Sequence, residues 1–106
     1  MRKSISHHAA PALRHVLVYI HNHLDQQLTL AELSFLAGMS TYHFARTFKH
    51  VTGVAPHHYI LDARIERAKS LLLGGNVSIA EVAQKVGFFD QSYFTRYFKR
   101  LVGITP

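Results

Sequence analysis

Cysteine is absent from the 106-residue chain, which excludes both disulfides and thiolate-bound metal ions. Their absence agrees with a reducing compartment. Long apolar runs are missing as well, and none reaches the roughly 20 residues that a membrane-spanning helix needs. The first residues, MRKSISHHAAPAL, are basic but lack the apolar core of a secretion signal. The sequence therefore predicts a cytoplasmic protein with no membrane segment.

Acidic residues are scarce. Asp and Glu number 6 against 12 Lys and Arg, so the net charge is +6 with neutral histidine. An excess of this kind favours a polyanionic partner, with nucleic acid ahead of an anionic membrane surface. A solvated basic surface that binds nothing would give the same count. The positions of the charges are therefore needed to distinguish the two interpretations.

Signatures of enzymatic chemistry are missing too. The sequence contains no G-x-S-x-G elbow, no P-loop and no dinucleotide-binding fingerprint. Nine histidines raise the question of a metal site, but the pairs at 7–8, 21 and 23, and 57–58 lack i, i+4 spacing with a neighbouring carboxylate. We therefore predict no catalytic residue, no cofactor and no metal ion.

One short phrase occurs twice in the chain, fifty positions apart. Residues 44–53 read FARTFKHVTG and residues 94–103 read FTRYFKRLVG. The repeat extends upstream, because TLAE at 29–32 and SIAE at 78–81 are both capping boxes. In such a box the hydroxyl accepts a bond from the backbone N–H three residues on, and the Glu side chain reaches back. A helix is expected to begin at each box.

Each copy of the repeat predicts two helices joined by a turn. A glycine turn follows the first helix at Gly38 and at Gly87, and a second capped helix begins at Ser40 and at Asp90. Phe89, just before the second of these caps, is expected to pack inward as half of a hydrophobic staple. Two short helices joined by a tight glycine turn suggest a helix-turn-helix unit, although ordinary helical hairpins share this pattern.

The rest of the chain predicts two more helices. Residues 1–10 are polar and unpatterned, and we interpret them as a flexible tail or linker remnant. From Pro11, apolar residues spaced by three and four predict a helix, with the buried stripe Leu13, Val16, Leu17, Ile20 and Leu24. A longer helix is predicted from about 57 to 73, ending at two glycines.

These predictions combine into an all-α fold, since no segment has the pattern of a strand. Two helix-turn-helix units, 29–51 and 78–101, are joined by a long central helix at 57–73. Together with the first helix they form one predicted domain, residues 11–106.

The second helix of each unit has an apolar side and a polar side. At about 100° per residue, the apolar side carries Phe44, Phe48 and Val51 in one copy and Phe94, Phe98 and Leu101 in the other. The opposite side carries Tyr42, Arg46 and Lys49, or Ser92, Arg96 and Lys99, with Thr95 and Arg100 beside the latter. This composition suits a helix in the major groove. There Arg pairs with guanine, Lys meets phosphate, and Ser, Thr, Gln or Tyr meets base edges or sugars.

Further candidates flank these faces. Thr41 and Gln91 lie in the first turn of their helices, where recognition helices reach bases, although Gln91 could equally solvate a helix end. Ala45 could touch a thymine methyl or simply leave room. For His43 and Tyr93 we expect packing or backbone contact rather than base reading.

Two alternatives stay open at this point. The same helices could dock on an acidic protein, such as an RNA polymerase subunit, which predicts salt-sensitive protein binding without sequence preference on a duplex. On the central helix, Arg64, Arg67 and Lys69 could support phosphate contacts or could only provide solubilising charge.

Two segments carry a resemblance to a known family. LAELSFLAGMSTYHFARTFKHVTGVAP and RIERAKSLLLGGNVSIAEVAQKVGFFDQSYFTRYFKRLVGITP resemble the DNA-binding domain of the AraC/XylS family of bacterial transcription regulators. The resemblance covers almost all of residues 11–106. It implies a seven-helix domain that regulates transcription initiation by placing two recognition helices in the major groove of double-stranded promoter DNA.

The resemblance also implies roles for individual residues. By motif position the recognition helices are residues 40–51 and 90–101. The base-facing places of the family fall on Tyr42, Ala45 and Arg46, and on Gln91, Ser92, Thr95 and Arg96. Lys49 and Lys99 match positions near the DNA backbone.

The sequence departs from the family pattern in two ways. It stops at Pro106, where the family continues into a short seventh helix, so six helices are expected. It also has no room for an effector-binding or dimerisation domain, so an effector would act only through a domain outside this chain. The chain could be a stand-alone small regulator or the C-terminal domain of a longer one, and we favour the second interpretation. In either case we expect a nucleoid-associated regulator that binds two adjacent major-groove segments, ~34 Å apart.

Overall fold

The computed structural model describes residues 9–106, with side-chain surroundings from residue 11 onward, and this range forms six α-helices. They are α1 (Ala9–Asn22), α2 (Leu30–Ala37), α3 (Thr41–Thr52), α4 (Pro56–Leu73), α5 (Ile79–Lys85) and α6 (Gln91–Val102). No strand occurs within the described range, and the all-α prediction is confirmed. The predicted tail lies outside this range except for residues 9 and 10, which open α1 two residues before Pro11.

The described residues pack into two compact units. Residues 9–23 and 28–60 form the first unit, in which α1 packs on α2 and α2 packs on α3. Residues 24–27 and 61–106 form the second, in which α5 packs on α6.

The two predicted capping boxes differ in the structure. At α5, Ser78 Oγ accepts from the Glu81 N–H and the Glu81 carboxylate accepts from the Ser78 N–H, both at 3.1 Å, so the box is complete. At α2, Thr29 Oγ1 accepts from the Glu32 N–H at 3.1 Å, but Glu32 does not reach back. The Glu32 carboxylate instead accepts from the Tyr19 hydroxyl at 2.8 Å. The second half of that prediction is wrong because a partner on α1 takes the carboxylate.

The caps of α3 and α6 form as predicted. Ser40 Oγ accepts from the His43 N–H at 3.1 Å. Asp90 Oδ1 accepts from the N–H groups of Ser92 and Tyr93, at 2.9 and 3.3 Å. Each cap satisfies backbone donors that the helix leaves free, and so fixes where the second helix of its unit begins.

Phenylalanine pairs one turn apart anchor α3 and α6 in the cores. Phe44 and Phe48 are fully buried with ring centroids 5.6 Å apart. Phe94 and Phe98 are buried in the same way, 5.7 Å apart. Val51 and Leu101 continue the same stripes in the last helical turn but stay 39% and 47% exposed, so their predicted burial is wrong.

The staple predicted at α6 involves a different residue. Phe89 is 76% exposed, whereas its neighbour Phe88 is buried with its ring centroid 5.1 Å from that of Phe94. Gly87 has a φ of +95°, and the chain leaves it with Phe88 rather than Phe89 facing the core. The second copy has one residue more in this turn than the first, which moves the inward position by one.

Arg64 has a structural role inside the second unit. Its Nε donates to the Leu24 carbonyl at 2.9 Å and its Nη2 donates to the Gln26 carbonyl at 2.7 Å. Burial lowers the pKa of this half-buried guanidinium, while the nearby Asp25 carboxylate opposes the shift. The residue ties the 24–27 segment to α4, so neither of the two sequence-based interpretations describes it.

Gly87→Ala is expected to destabilise the protein more than Gly103→Ala. Both glycines have left-handed backbones, with φ of +95° and +97°, so both substitutions carry a strain of about 1–2 kcal/mol. A Cβ at Gly87 would also collide with the Leu24 carbonyl oxygen and lie 2.7 Å from Arg64 Nε, whereas one at Gly103 meets nothing within 4 Å. Urea unfolding of the two variants measures the difference in their free energies of unfolding. Equal decreases would show that the atoms around Gly87 can move aside at no cost in stability.

Glu81→Gln is expected to lower the melting temperature at neutral pH and to lose this effect in acid. Hydrogen bonds from the Ser78 backbone and side chain lower the pKa of Glu81. A carboxylate with a lower pKa in the folded state adds stability above its unfolded pKa, and that stability is lost as the pH falls through the folded value. Thermal melts of both proteins from pH 7 downward should therefore converge below 4.5, the ordinary pKa. A difference in melting temperature that persists in acid would mean that the charge of Glu81 adds nothing to the stability.

Candidate nucleic-acid interface

The outward sides of α3 and α6 carry most of the predicted recognition residues. The buried phenylalanine pairs set the rotation of each helix about its axis, because the side chains opposite to them must face solvent. The exposed members are Thr41, Tyr42, Arg46, Lys49, Gln91, Ser92, Arg96, Lys99 and Arg100. Ala45 and Thr95 are half-buried, at the edge of each face.

Four of the predicted residues meet in one place on α6. Gln91, Ser92, Thr95 and Arg96 line a single open groove on the second unit. Within the described part of the chain, the Arg96 side chain takes part in no hydrogen bond or salt bridge. Its five N–H donors are therefore available to a ligand, next to the hydroxyls and the amide that line the groove.

Arg100 lies differently, against the edge of the core. Its Cζ is 5.5 Å from the centroid of the Tyr97 ring. Tyr97 is buried and donates its hydroxyl to Asp62 Oδ1 at 3.0 Å. Burial, followed by the hydrogen bond and charge of Asp62, raises the pKa of Tyr97 to about 12, so the phenol stays neutral near pH 7. Arg100 is thus held at the flank of the α6 face, with its charge still exposed.

On α3, the arginine of the outward face has a partner. Arg46 Nη1 donates to the Tyr42 hydroxyl at 3.1 Å, and its Cζ is 5.5 Å from the centroid of the Tyr42 ring. Residues four apart are neighbours on a helix surface, so the contact forms within one turn.

The flanking residues behave differently in the two copies. Tyr93 is half-buried, and its ring packs against Phe88 and Tyr97 with centroids 5.8 and 6.0 Å apart, which favours the packing interpretation. His43 is exposed, so packing does not explain it.

The charged side chains on these faces are all positive, apart from the aspartate that caps α6. Asp90 supplies the one carboxylate on α6 and its N-cap, and α3 with its N-cap has none. No cluster of His, Asp or Glu suited to a metal ion occurs among residues 11–106. Of the helices described, none combines the length and apolar character needed to cross a membrane.

Sequence reasoning missed two of these contacts. The Tyr42–Arg46 pair has a readable signal, an aromatic and a guanidinium at i, i+4 on an exposed face. The Tyr97–Asp62 bond joins residues 35 positions apart and has no local signal.

Comparison with known proteins places this geometry among helix-turn-helix domains. A family model described as a helix-turn-helix domain matches residues 33–106. LumQ of Photobacterium leiognathi, a probable transcriptional regulator, is 39% identical over 88 residues, which cover 83% of this chain and 36% of LumQ. The chain spans about a third of the length of the first curated relatives that it matches.

Two solved structures match this chain over most of their own length. The DNA-binding domain of AdpA, a global transcriptional factor crystallised in complex with a target DNA, is 32% identical with a TM-score of 0.86, covering 90% of this chain and 86% of that one. A transcriptional regulator from Chromobacterium violaceum with an AraC-type DNA-binding domain is 26% identical with a TM-score of 0.85, covering 92% and 87%.

Proposed function

This chain belongs to the AraC-type helix-turn-helix family, and we propose that it binds double-stranded promoter DNA sequence-specifically, with α3 and α6 each placed in a major groove. The observation that carries the proposal is the pair of cationic, solvent-facing helix sides opposite the buried phenylalanines. The AdpA domain, a relative with the same fold, was crystallised with its target DNA, which supports the same class of ligand here.

The side chains divide into two proposed roles. Those suited to base edges are Tyr42, Ala45 and Arg46 on α3 and Gln91, Ser92, Thr95 and Arg96 on α6. Those suited to phosphates and sugars are Thr41, Lys49, Lys99 and Arg100, because an exposed ammonium, guanidinium or hydroxyl group can bind the backbone whatever the sequence. Base contacts would then select the site, while backbone contacts would set the register of each helix.

We propose further that both units bind one duplex, with α4, 18 residues long, as the connection between them. Two weak readers gain affinity when a stiff connection holds them at the spacing of their sites. Successive major-groove faces lie ~34 Å apart, so a mismatch with this spacing would be relieved by bending the DNA.

The wider role proposed for the chain is regulation of transcription initiation in the bacterial cytoplasm, at the nucleoid. RNA polymerase is a candidate second partner, and any effector would act through a domain outside this chain. No enzymatic activity, cofactor or membrane contact is proposed for residues 1–106.

Selection from a random duplex library, at a fixed and stated salt concentration, is expected to enrich a defined sequence motif. Electrostatic attraction alone would hold all duplexes alike, so enrichment reports base reading. Binding that stays salt-sensitive but enriches nothing would contradict the proposal and favour the protein-docking alternative.

Arg96→Ala and Lys99→Ala should weaken binding to the selected duplex in different ways. Arg96→Ala is expected to cost ~1–3 kcal/mol and to relax the preference at one or two base pairs. Lys99→Ala is expected to weaken binding to all duplex sequences alike. It should also reduce the slope of log K against the logarithm of the salt concentration by about one. Fluorescence anisotropy over a salt series separates the two.

The pair is a matched control, since both side chains are cationic, exposed and on the same helix. An equal loss on selected and random duplexes for Arg96→Ala would assign Arg96 to the phosphates instead.

A further inference from the structure

The Tyr42–Arg46 contact lies on the very face of α3 that the proposed function places against DNA. Tyr42 is 70% exposed, so the contact is not a product of core packing. The hydroxyl oxygen accepts from Arg46 Nη1 at 3.1 Å, while the guanidinium carbon lies 5.5 Å from the ring centroid. A hydrogen bond and a cation–π contact thus hold one guanidinium at the same time.

The contact leaves Arg46 able to bind a ligand. A guanidinium has five N–H donors, of which this hydrogen bond uses one, so enough remain for a two-bond contact with a base. The Tyr42 hydroxyl accepts from Arg46 and keeps its own hydrogen, which is free to be donated. Both groups therefore stay functional while each restricts the other.

The second copy lacks this arrangement. Residue 92, the counterpart of Tyr42, is serine, which has no aromatic ring to contact a guanidinium four residues on. In the described chain Arg96 has no hydrogen-bonded side-chain partner, although it occupies the same place on its helix as Arg46. The two recognition helices thus differ in whether their arginine is held before a ligand arrives.

We propose that Tyr42 is a positioning residue that orders Arg46 in the free protein, so that α3 meets DNA with a preset arginine and α6 with an adaptable one. This inference rests on the proposed function and deepens it. An arginine that is already ordered loses less conformational entropy on binding, whereas a free one can adjust to more than one base. We therefore expect stricter base choice under α3 than under α6.

The free protein provides a test that needs no DNA. Nitrogen-15 relaxation of the arginine Nε–H groups should show Arg46 restricted and Arg96 mobile. Tyr42→Phe keeps the ring but removes the acceptor, and should make Arg46 more mobile. Ser92→Tyr is the matched converse and should restrict Arg96. Equal mobility of the two arginines in the wild type, or no response of Arg46 to Tyr42→Ala, which removes the ring as well as the hydroxyl, would overturn the inference.

Binding to the selected duplex provides the second readout. Tyr42→Phe is expected to weaken binding about two- to tenfold, the range for the loss of one hydrogen bond. The same substitution should have no effect when Arg46 is already alanine, because its action passes through that side chain. An equal loss in both backgrounds would mean that the hydroxyl contacts DNA independently.

Failure of the inference is distinguishable from failure of the proposed function. Loss of all sequence preference in the wild type would refute base reading by the chain. The relaxation measurement in the free protein would still decide whether Tyr42 orders Arg46.

Discussion

Each proposed recognition helix depends on two buried phenyl rings one turn apart. Phe44, Phe48 and Phe94 are 0% exposed and Phe98 is 4% exposed. Burying one such ring contributes about 1.5–3 kcal/mol, so each pair outweighs any single contact on the helix surface. Because the pair fixes the rotation of the helix, it also decides which side chains face solvent. Without it, the arginine and lysine side chains of each helix would not share one solvent-facing side.

The two copies keep this anchor but stabilise it by different means. In the first unit a carboxylate of the α2 capping motif bonds to Tyr19 of α1. In the second, Arg64 bonds to the 24–27 segment, and Phe88 and Tyr97 add two more aromatic rings to the core beside the phenylalanine pair. The outward faces diverge as well, since α3 carries the Tyr42–Arg46 pair and α6 carries an open groove lined by one arginine and three uncharged polar side chains. In both copies the second helix thus buries the same side, whereas the side chains on its solvent-facing side differ.

Much of the fold could be predicted from the sequence because its signals are local. Caps at Ser40, Ser78 and Asp90 depend on residues three positions apart at most, and the phenylalanine pairs follow the helical period. The outward faces follow from the same period, which is why the exposed residues proposed to contact DNA lie on one side of each helix.

The rest depends on packing between distant parts of the chain. Glu32 accepts a hydrogen bond from a residue 13 positions away, and Arg64 donates hydrogen bonds to carbonyls about 40 positions away. The inward turn of Phe88 rather than Phe89 depends on the backbone at Gly87, and two adjacent phenylalanines give no sequence signal of which one is buried. Ala45 and Thr95 are half-buried, which their position in the helical period does not indicate.

Dimethyl sulfate interference on the selected duplex tests the central claim most directly, because the reagent modifies guanine N7 in the major groove, the atom that an arginine on either helix would contact. If both anchored helices present their polar faces to one duplex, modification should interfere at two clusters of base pairs about one helical turn apart. A single cluster, or no interference in the presence of tight binding, would contradict the account.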